Sequence, residues 1–447
     1  MILNRIKKKI MIAPFVLLVL SPIFMVADSF AGYDYIDITN PFIKKIPIAV
    51  PLFKTMTENT HEQKAAHEAA VLLSETLDFT GYFKIIDRGA FLEHPDKTGI
   101  TDAAIHFKNW TAVGAELLIT GGISITGDRI TMEMRLFDTF KAKRILGKRY
   151  SGGFPDQRTM IRKFCDDVIF QLTGDHGIFN SRMAFVSTGT GKKEIYISDF
   201  DGYNPRQITK SNSITLSPAW SSDGNWLAYT SYSQGKPDLY IKNLKENRGS
   251  VVAKEGINIT PAWVPGKFAL AATLSFSGDP EIYMLTGSGK IIKRLTRNWG
   301  IDVSPSFSPD GRKMVFVSKR SGNPQLYIQD IDSGQVQRLT FQGKYNTTPS
   351  WSPKGDKVVY SSLGNGHFNI YLIGIEGGEP IQLTNDAGDN EAPTWSPDGS
   401  LIAFSSTREG GVSRIYVMTS YGTEQRRLLT MPGEQTNPKW SPKNIGN

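Results

Sequence analysis

The fold is decided by the stretch PTWSPDG at residues 393–399, because near copies of it recur at a fixed interval. PSWSPKG occupies residues 349–355 and PSFSPDG occupies residues 305–311, so the lead prolines lie 44 residues apart. Shorter Pro-x-Trp steps extend the series to residues 218–220, 261–263 and 438–440. A period of this length is typical of one four-stranded blade of a β-propeller.

Each copy also carries the marks of β-strands separated by turns. Proline presets φ in the Ser-Pro-x-Gly turns, and the glycine permits the positive φ that closes them. Alternating apolar runs follow at nearly constant distances, as strands require. In the PSFSPDG copy, the residues of these runs that recur in other copies are Phe316, Leu326-Tyr327 and Leu339-Thr340. One copy has Ala272 in place of the aromatic residue, and we expect packing against neighbouring blades to compensate.

The two ends of the repeat predict how the ring closes. Phe185, Ile195-Tyr196 and Ile208-Thr209 supply the last three strands of a blade that lacks its own Pro-x-Trp step. Pro438-Lys439-Trp440 is a first strand without successors. We therefore expect the C-terminal strand to complete the blade that begins at residue 182, which gives a six-bladed β-propeller over residues 182–447. The alternatives are an open solenoid or a two-sheet sandwich, and an open array would leave exposed strand edges.

Residues 32–173 lack the repeat and predict a small α/β domain, with a linker to the propeller at residues 174–181. Apolar alternation predicts strands, and the spacing of Ala65, Ala69 and Leu72 predicts a helix. Gly127-Asp128 predicts a hairpin turn. In chain order we expect a strand at 46–53, a helix at 61–78, a strand at 82–86, a helix at 105–113, strands at 116–126, 129–137 and 143–150, and a helix at 155–172.

Residues 1–31 have the pattern of an export signal. A basic stretch from Arg5 to Lys9 precedes an apolar stretch from Ile10 to Val26, and small residues place the cut between Ala31 and Gly32. The alternative is an uncleaved membrane anchor. No later segment approaches the roughly 18 uninterrupted apolar residues of a membrane span, so we expect no direct membrane span after cleavage.

Charge and cysteine content exclude several classes of function. The net charge is +8, and residues 1–31 hold four of the 51 basic and one of the 43 acidic residues, which leaves +5. No block of Arg and Lys with interleaved aromatic residues is present, so we expect no nucleic-acid partner.

The single cysteine, Cys165, lies among apolar residues at helical spacing, which predicts a buried side chain and not a nucleophile.

A search for catalytic, cofactor and metal motifs predicts none of these sites. His67-Glu68 resembles the start of a zinc-protease motif, but Val71 occupies the second ligand position. Gly287–Lys290 resembles a phosphate loop until Ile291, where Ser or Thr is needed, so we expect a hairpin turn. Asp199–Gly202 lacks the downstream Glu of a calcium loop.

One alternative of another class remains open at this stage. A propeller enzyme or a small-ligand-binding propeller would use acids that converge at the mouth of the central tunnel. The candidates for such a site are Asp302, Asp389, Asn390 and Glu391.

The order of signal segment, small α/β domain and six propeller repeats resembles the TolB family, the periplasmic propeller proteins of the Tol–Pal system. Residues 180–186 (NSRMAFV) and 198–204 (SDFDGYN) look much like that family's first blade. The resemblance covers essentially the whole chain after the signal. It implies a non-enzymatic periplasmic protein without cofactors, which supports outer-membrane integrity, invagination during cell division and the import of some colicins.

The resemblance also implies two partners and two binding sites. A Pal-type outer-membrane lipoprotein is expected at the loops just before the Pro-x-Trp steps, which are Ile257, Asn258, Thr260, Asp302, Val303, Ser304, Thr347 and Thr348 in this chain. Ile257 departs from the histidine of enterobacterial members. A TolA-type inner-membrane protein is expected at the mature N-terminal strand, which is Tyr33, Asp34, Tyr35, Ile36, Asp37 and Ile38.

Overall fold

The computed structural model describes residues 45–56, 60–93, 99–246, 248–385 and 388–443. The predicted export signal, its cut between Ala31 and Gly32, and the predicted strand at 33–38 lie outside these residues.

The N-terminal domain is a mixed sheet flanked by helices. Its strands are β1 (Ile46–Ala49), β2 (Lys54–Thr55), β3 (Phe83–Ile85), β4 (Leu117–Thr126), β5 (Arg129–Asp138) and β6 (Lys143–Gly153), and its helices are α1 (Thr60–Phe79), α2 (Phe107–Ala112) and α3 (Gln157–Thr173). The sheet order is β3-β1-β4-β5-β6, with β2 paired to β4. β1 runs parallel to β3 and β4, whereas β4, β5 and β6 form an antiparallel meander.

The apolar sides of α1 and α3 pack against each other and against this sheet. Leu73 and Leu77 of α1 and Phe164 and Val168 of α3 are fully buried, as their spacing of four residues requires. Cys165 is fully buried as well, which confirms its predicted burial. The helix predicted from Pro155 begins instead at Gln157, because residues 154–156 form a 3-10 turn.

The propeller strands follow the repeat. They are β7 (Arg182–Ser187), β8 (Glu194–Asp199), β9 (Arg206–Gln207), β10 (Thr215–Trp220), β11 (Trp226–Ser231), β12 (Asp238–Asn243), β13 (Gly249–Val252), β14 (Asn258–Trp263), β15 (Ala269–Leu274), β16 (Glu281–Thr286), β17 (Ile291–Arg294), β18 (Asp302–Phe307), β19 (Lys313–Ser318), β20 (Gln325–Asp330), β21 (Val336–Arg338), β22 (Asn346–Trp351), β23 (Lys357–Gly364), β24 (His367–Gly374), β25 (Gly377–Gln382), β26 (Asn390–Trp395), β27 (Leu401–Ser406), β28 (Arg414–Thr419), β29 (Arg426–Arg427) and β30 (Gln435–Trp440). They form six four-stranded sheets, which we number as blades 1 to 6. Blade 1 is β30-β7-β8-β9, and blades 2 to 6 take the strands from β10 to β29 in chain order, four to a blade.

Blade 1 closes the ring. β30 pairs antiparallel with β7, so that Gln435 lies opposite Ser187 and Trp440 lies opposite Met183. The innermost strands contact one another in sequence from β10 to β30, and β30 contacts β10. This pairing confirms closure by the C-terminal strand and excludes an open solenoid or a two-sheet sandwich.

Every innermost strand contains a β-bulge just before its lead proline. The residue at the bulge has positive φ in all six blades: Ser217, Thr260, Ser304, Thr348, Ala392 and Asn437. Strand pairing shifts register at the same place, between Val303 and Ser306 in blade 4. A proline has no N–H to donate to the ladder, and the bulge lets the strand continue past it.

The N-terminal domain packs on one end of the ring. In blade 1, the turn between β8 and β9 places Asp199 against Arg162 of α3, with a 2.7 Å hydrogen bond between Nη2 and Oδ2. Phe200 of the same turn is fully buried against Phe79, with ring centroids 5.3 Å apart. Lys45 pairs with Glu424 of blade 6. These turns all lie at the end of the propeller that carries the Ser-Pro-x-Gly turns, since strand directions alternate within each blade.

Candidate functional site

The opposite end of the propeller is formed by the connections that enter the innermost strands and by the loops between second and third strands. We call the part of this end that lies on blades 2 to 5 the open mouth, and it comprises residues 208–214, 232–237, 253–257, 275–280, 295–301, 319–324, 339–345 and 365–366. Backbone hydrogen bonds tie these loops together: the N–H of Asp302 donates to the carbonyl of Pro280, and the N–H of Lys319 donates to that of Ile301. The open mouth is therefore a continuous, ordered surface.

The residues predicted for Pal binding lie deeper in the blades than expected. Asn258 and Asp302 are the first residues of β14 and β18, and at most 1% of either is exposed. Only Ile257 belongs to a loop, where its N–H donates to Ser275 Oγ at 2.9 Å. The prediction that all eight positions lie in loops is therefore wrong. The innermost strand pairs with the second strand of its blade both before the bulge and after the proline, so most of these residues belong to the strand.

The other predicted positions line or approach the central tunnel. Thr260, Ser304 and Thr348 are bulge residues, and they line a cavity of about 130 Å³ in the tunnel together with the lead prolines. Val303 and Thr347 precede two of them on the innermost strands and are half-buried. The structure thus brings Thr260, Ser304 and Thr348 together around one axis, and their part in binding stays a prediction.

The buried asparagines at the starts of innermost strands join neighbouring blades. Asn346 Nδ2 donates to Gln325 Oε1 at 2.9 Å, and Asn390 Nδ2 donates to Asn369 Oδ1 at 3.2 Å. Asn258 donates to Asp238 in the same way. We call these bonds the amide latch, because each links an innermost strand to the third strand of the preceding blade. Sequence reasoning missed it, although an asparagine three residues before the lead proline was the available signal.

Three blades lack the asparagine of the amide latch: blade 1 has Gln435, blade 2 has Thr215 and blade 4 has the carboxylate of Asp302 at this position. The partner position of Asp302 holds Glu281, also a carboxylate and fully buried. Asp302 Oδ2 accepts a hydrogen bond from Arg320 Nη2 at 2.8 Å, whereas its Oδ1 is buried and has no hydrogen-bond partner within the described residues. Burial raises the pKa of Asp302, whereas the nearby Ser318 hydroxyl and the Arg320 guanidinium act in the opposite direction and Glu281 adds to the increase.

The four residues proposed for a tunnel-mouth enzyme do not converge. Asp302 belongs to blade 4, whereas Asp389, Asn390 and Glu391 belong to blade 6 and the loop before it. Asn390 is buried in the amide latch, and Asp389 Oδ1 accepts the N–H of Phe368 at 2.9 Å. Among the residues that the structure describes, no group of three or more His, Cys, Asp or Glu could hold a metal ion.

The open mouth instead presents aromatic side chains to solvent. The exposed fraction is 68% for Trp299 and 73% for Phe341, and Phe276 and Tyr345 are also exposed. These four residues, which we call the aromatic rim, belong to loops of blades 3, 4 and 5, which are consecutive in the ring. Exposed aromatic residues grouped on one surface are typical of protein-binding sites.

The fold and this surface define a class: a closed six-bladed β-propeller with an N-terminal α/β domain and an apolar rim at the end away from that domain. No helix in the described part of the chain is both long and apolar enough to cross a membrane.

The sequence matches two family models, the TolB amino-terminal domain over residues 34–145 and the TolB β-propeller domain over residues 170–444. It is 69% identical over 416 residues to the Tol-Pal system protein TolB of Desulfosudis oleivorans. The aligned residues cover 93% of this chain and 95% of that protein. It is 45% identical to the TolB homolog of Chlorobaculum tepidum over 56% of each chain. The crystal structure of TolB from Acinetobacter baumannii superposes with a TM-score of 0.78 at 28% identity, over 90% of this chain and 97% of that one. The chain therefore belongs to the TolB family and is a component of the Tol–Pal system.

Proposed function

We propose that this chain is a non-enzymatic periplasmic protein that links a TolA-type inner-membrane protein to a Pal-type outer-membrane lipoprotein. In this role it supports outer-membrane integrity and invagination during cell division, and it offers an entry route to colicin-type proteins. Membership in the TolB family supports this proposal, and so does the export signal predicted at residues 1–31.

The observation that carries the proposal is the aromatic rim. Trp299 and Phe341 leave most of their surface in water, which is unfavourable for a large apolar side chain unless a partner covers it. The Arg338 guanidinium lies 4.8 Å from the ring centroid of Phe341, so this side chain is held in place although it is exposed. Rigid aromatic side chains bind a partner at a low cost in conformational entropy. We therefore assign the Pal-type lipoprotein to the open mouth.

Substitution of the rim tests this assignment. Trp299→Ala is expected to weaken binding of the host's Pal-type lipoprotein about 10-fold or more, since a buried aromatic anchor contributes about 1–2 kcal/mol or more to binding. Phe140→Ala is the matched control, because Phe140 is 70% exposed but belongs to the N-terminal domain. The dissociation constants are measured by isothermal titration calorimetry. Phe341→Ala is measured in the same way, and unchanged affinity of both rim variants would place the lipoprotein elsewhere.

We assign the TolA-type partner to residues 33–38. Their alternation of Tyr or Ile with Asp suits an extended segment that adds to the edge of another protein's sheet. Deletion of residues 32–39 is expected to abolish retention of the TolA-type protein in a pull-down and to leave the thermal unfolding midpoint unchanged. Equal retention by the truncated protein would refute the assignment, and the Pal-type lipoprotein serves as the positive control for a folded propeller.

A further inference from the structure

The position after the lead proline differs in one blade from all others. Small side chains occupy it in blades 2 to 6, which are Ala219, Ala262, Ser306, Ser350 and Thr394, whereas blade 1 has Lys439. Lys439 lines both halves of the central tunnel: the narrow half with the bulge residues, and a wider half of about 390 Å³ lined by the tryptophans. Lys439 therefore lies where the two halves meet.

The walls of both halves contain no carboxylate among the described residues. Proline, serine, threonine and aromatic residues form most of the lining, and among the described lining residues the only other charged side chain is Lys443. The backbone of Lys439 is fixed, since its carbonyl accepts a hydrogen bond from Trp220 Nε1 at 3.0 Å. Burial in the tunnel wall lowers the pKa of Lys439, and no ion pair within the described residues offsets this cost. An ammonium group in a tunnel wall without a counter-charge favours an anionic ligand.

Hydroxyl side chains line the same half of the tunnel as Lys439. Ser306, Ser350 and Thr394 occupy the equivalent position in the three blades that precede blade 1, and all three line the wide half with Lys439. Ser306 Oγ accepts the N–H of Trp351 at 3.0 Å, which leaves its own hydrogen free to donate. An ammonium group with neighbouring hydroxyl donors is suited to an oxyanion.

We propose that the propeller tunnel binds an oxyanion, a carboxylate or a phosphate group, between the ammonium group of Lys439 and the hydroxyl groups of Ser350 and Thr394. This inference goes beyond the linking of two envelope proteins, because it assigns a ligand to the interior of the ring. The group belongs either to a small free anion or to an acidic side chain of a peptide that enters the wide half.

Binding is tested on the full mature chain by isothermal titration calorimetry at pH 7.0 and constant ionic strength. One arm uses inorganic phosphate, and the other uses the blocked peptide N-acetyl-Gly-Glu-Gly-amide with its glutamine analogue as the uncharged control. Saturable phosphate binding identifies a free anion as the ligand. Binding of the glutamate peptide alone identifies a peptide carboxylate.

Lys439→Ala is the decisive variant, because two other blades already carry alanine at this position and the fold is expected to tolerate it. We expect this variant to lose at least 10-fold in affinity for whichever probe binds. Lys313→Ala, which removes an exposed lysine of β19, is expected to bind as the wild type does. The proposal is overturned if neither probe binds the wild type saturably, or if Lys439→Ala binds with unchanged affinity. Circular dichroism and the unfolding midpoint establish that both variants are folded.

Discussion

Replacement of Asp302 by asparagine is expected to stabilise the protein at neutral pH. Asp302 occupies the position at which three other blades have the asparagine of the amide latch. In the variant, Nδ2 of the new asparagine would face Glu281. Blade 6 shows that asparagine is compatible with the neighbouring arginine, since Arg408 Nη2 donates to Asn390 Oδ1 at 2.9 Å. Arg320 keeps a partner in the variant for the same reason.

The size of the effect follows from what the substitution removes. A buried polar atom without a hydrogen bond costs about 1–3 kcal/mol, and Asp302 Oδ1 is such an atom within the described residues. The variant also removes a like-charge contact with Glu281, but it replaces the ion pair with Arg320 by a weaker hydrogen bond. We expect a net increase of about 1–2 kcal/mol in the free energy of unfolding at pH 7.

The pH dependence gives this prediction a second readout. Because the pKa of Asp302 is raised in the folded state, the ionised carboxylate destabilises that state at neutral pH, and the cost disappears as pH falls through the folded and then the unfolded pKa. The advantage of Asp302→Asn should therefore be largest near pH 7 and vanish toward about pH 4.

Urea unfolding at pH 7 and pH 4 measures both quantities. The reverse change, Asn346→Asp, is the matched control. It places a carboxylate against Gln325 Oε1 in a blade that has Gly364 where blade 4 has Arg320, and it should cost about 2–3 kcal/mol. If Asp302→Asn destabilised the protein by more than about 1 kcal/mol at pH 7, our account of the latch would be refuted.

Two further predictions concern the N-terminal domain. Cys165 is buried, and its burial raises the pKa of the thiol, so a disulfide reagent should modify it only after the protein unfolds. Stoichiometric labelling of the native protein at pH 8 would contradict the buried position of Cys165. Arg162→Ala removes the partner of Asp199 at the contact with blade 1 and should lower the free energy of unfolding by about 2–3 kcal/mol in urea; a loss below about 0.5 kcal/mol, the size of an ordinary surface substitution, would show that this ion pair is dispensable.

The propeller was predictable because the prolines and glycines that mark its strands and turns recur at a fixed interval. Each lead proline and each turn glycine fixes a register, and Gly311, Gly355 and Gly399 indeed have the positive φ that the Ser-Pro-x-Gly turns require. Element ends in the N-terminal domain were less predictable. The strand expected to reach Phe53 stops at Ala49, although Val50 and Phe53 are buried. An apolar stretch predicts which side chains are buried. It does not predict which backbone groups form the hydrogen bonds of a β-sheet.

The candidate site was predicted only in part. The resemblance implies that the Pal-binding residues lie in loops before the lead prolines, whereas the structure places all of them but Ile257 in innermost strands. The bulge allows pairing on both sides of the proline, but bulge residues such as Thr260 and Ser304 include no glycine that would mark their positive φ. The aromatic rim has no period either, since Phe276, Trp299 and Phe341 lie at different points of their repeats. Only the closed ring brings such residues onto one surface.

The pairing of β30 with β7 has a consequence for biosynthesis. Arg182 and Ser441, which share a hydrogen bond at this seam, are separated by 259 residues. A ribosome therefore completes nearly the whole propeller before the last strand of blade 1 exists, and until then β7 has an unpaired side. Contacts between such distant residues form slowly, and unpaired strands invite aggregation. The nascent chain should thus depend on a holding chaperone until its final residues are made.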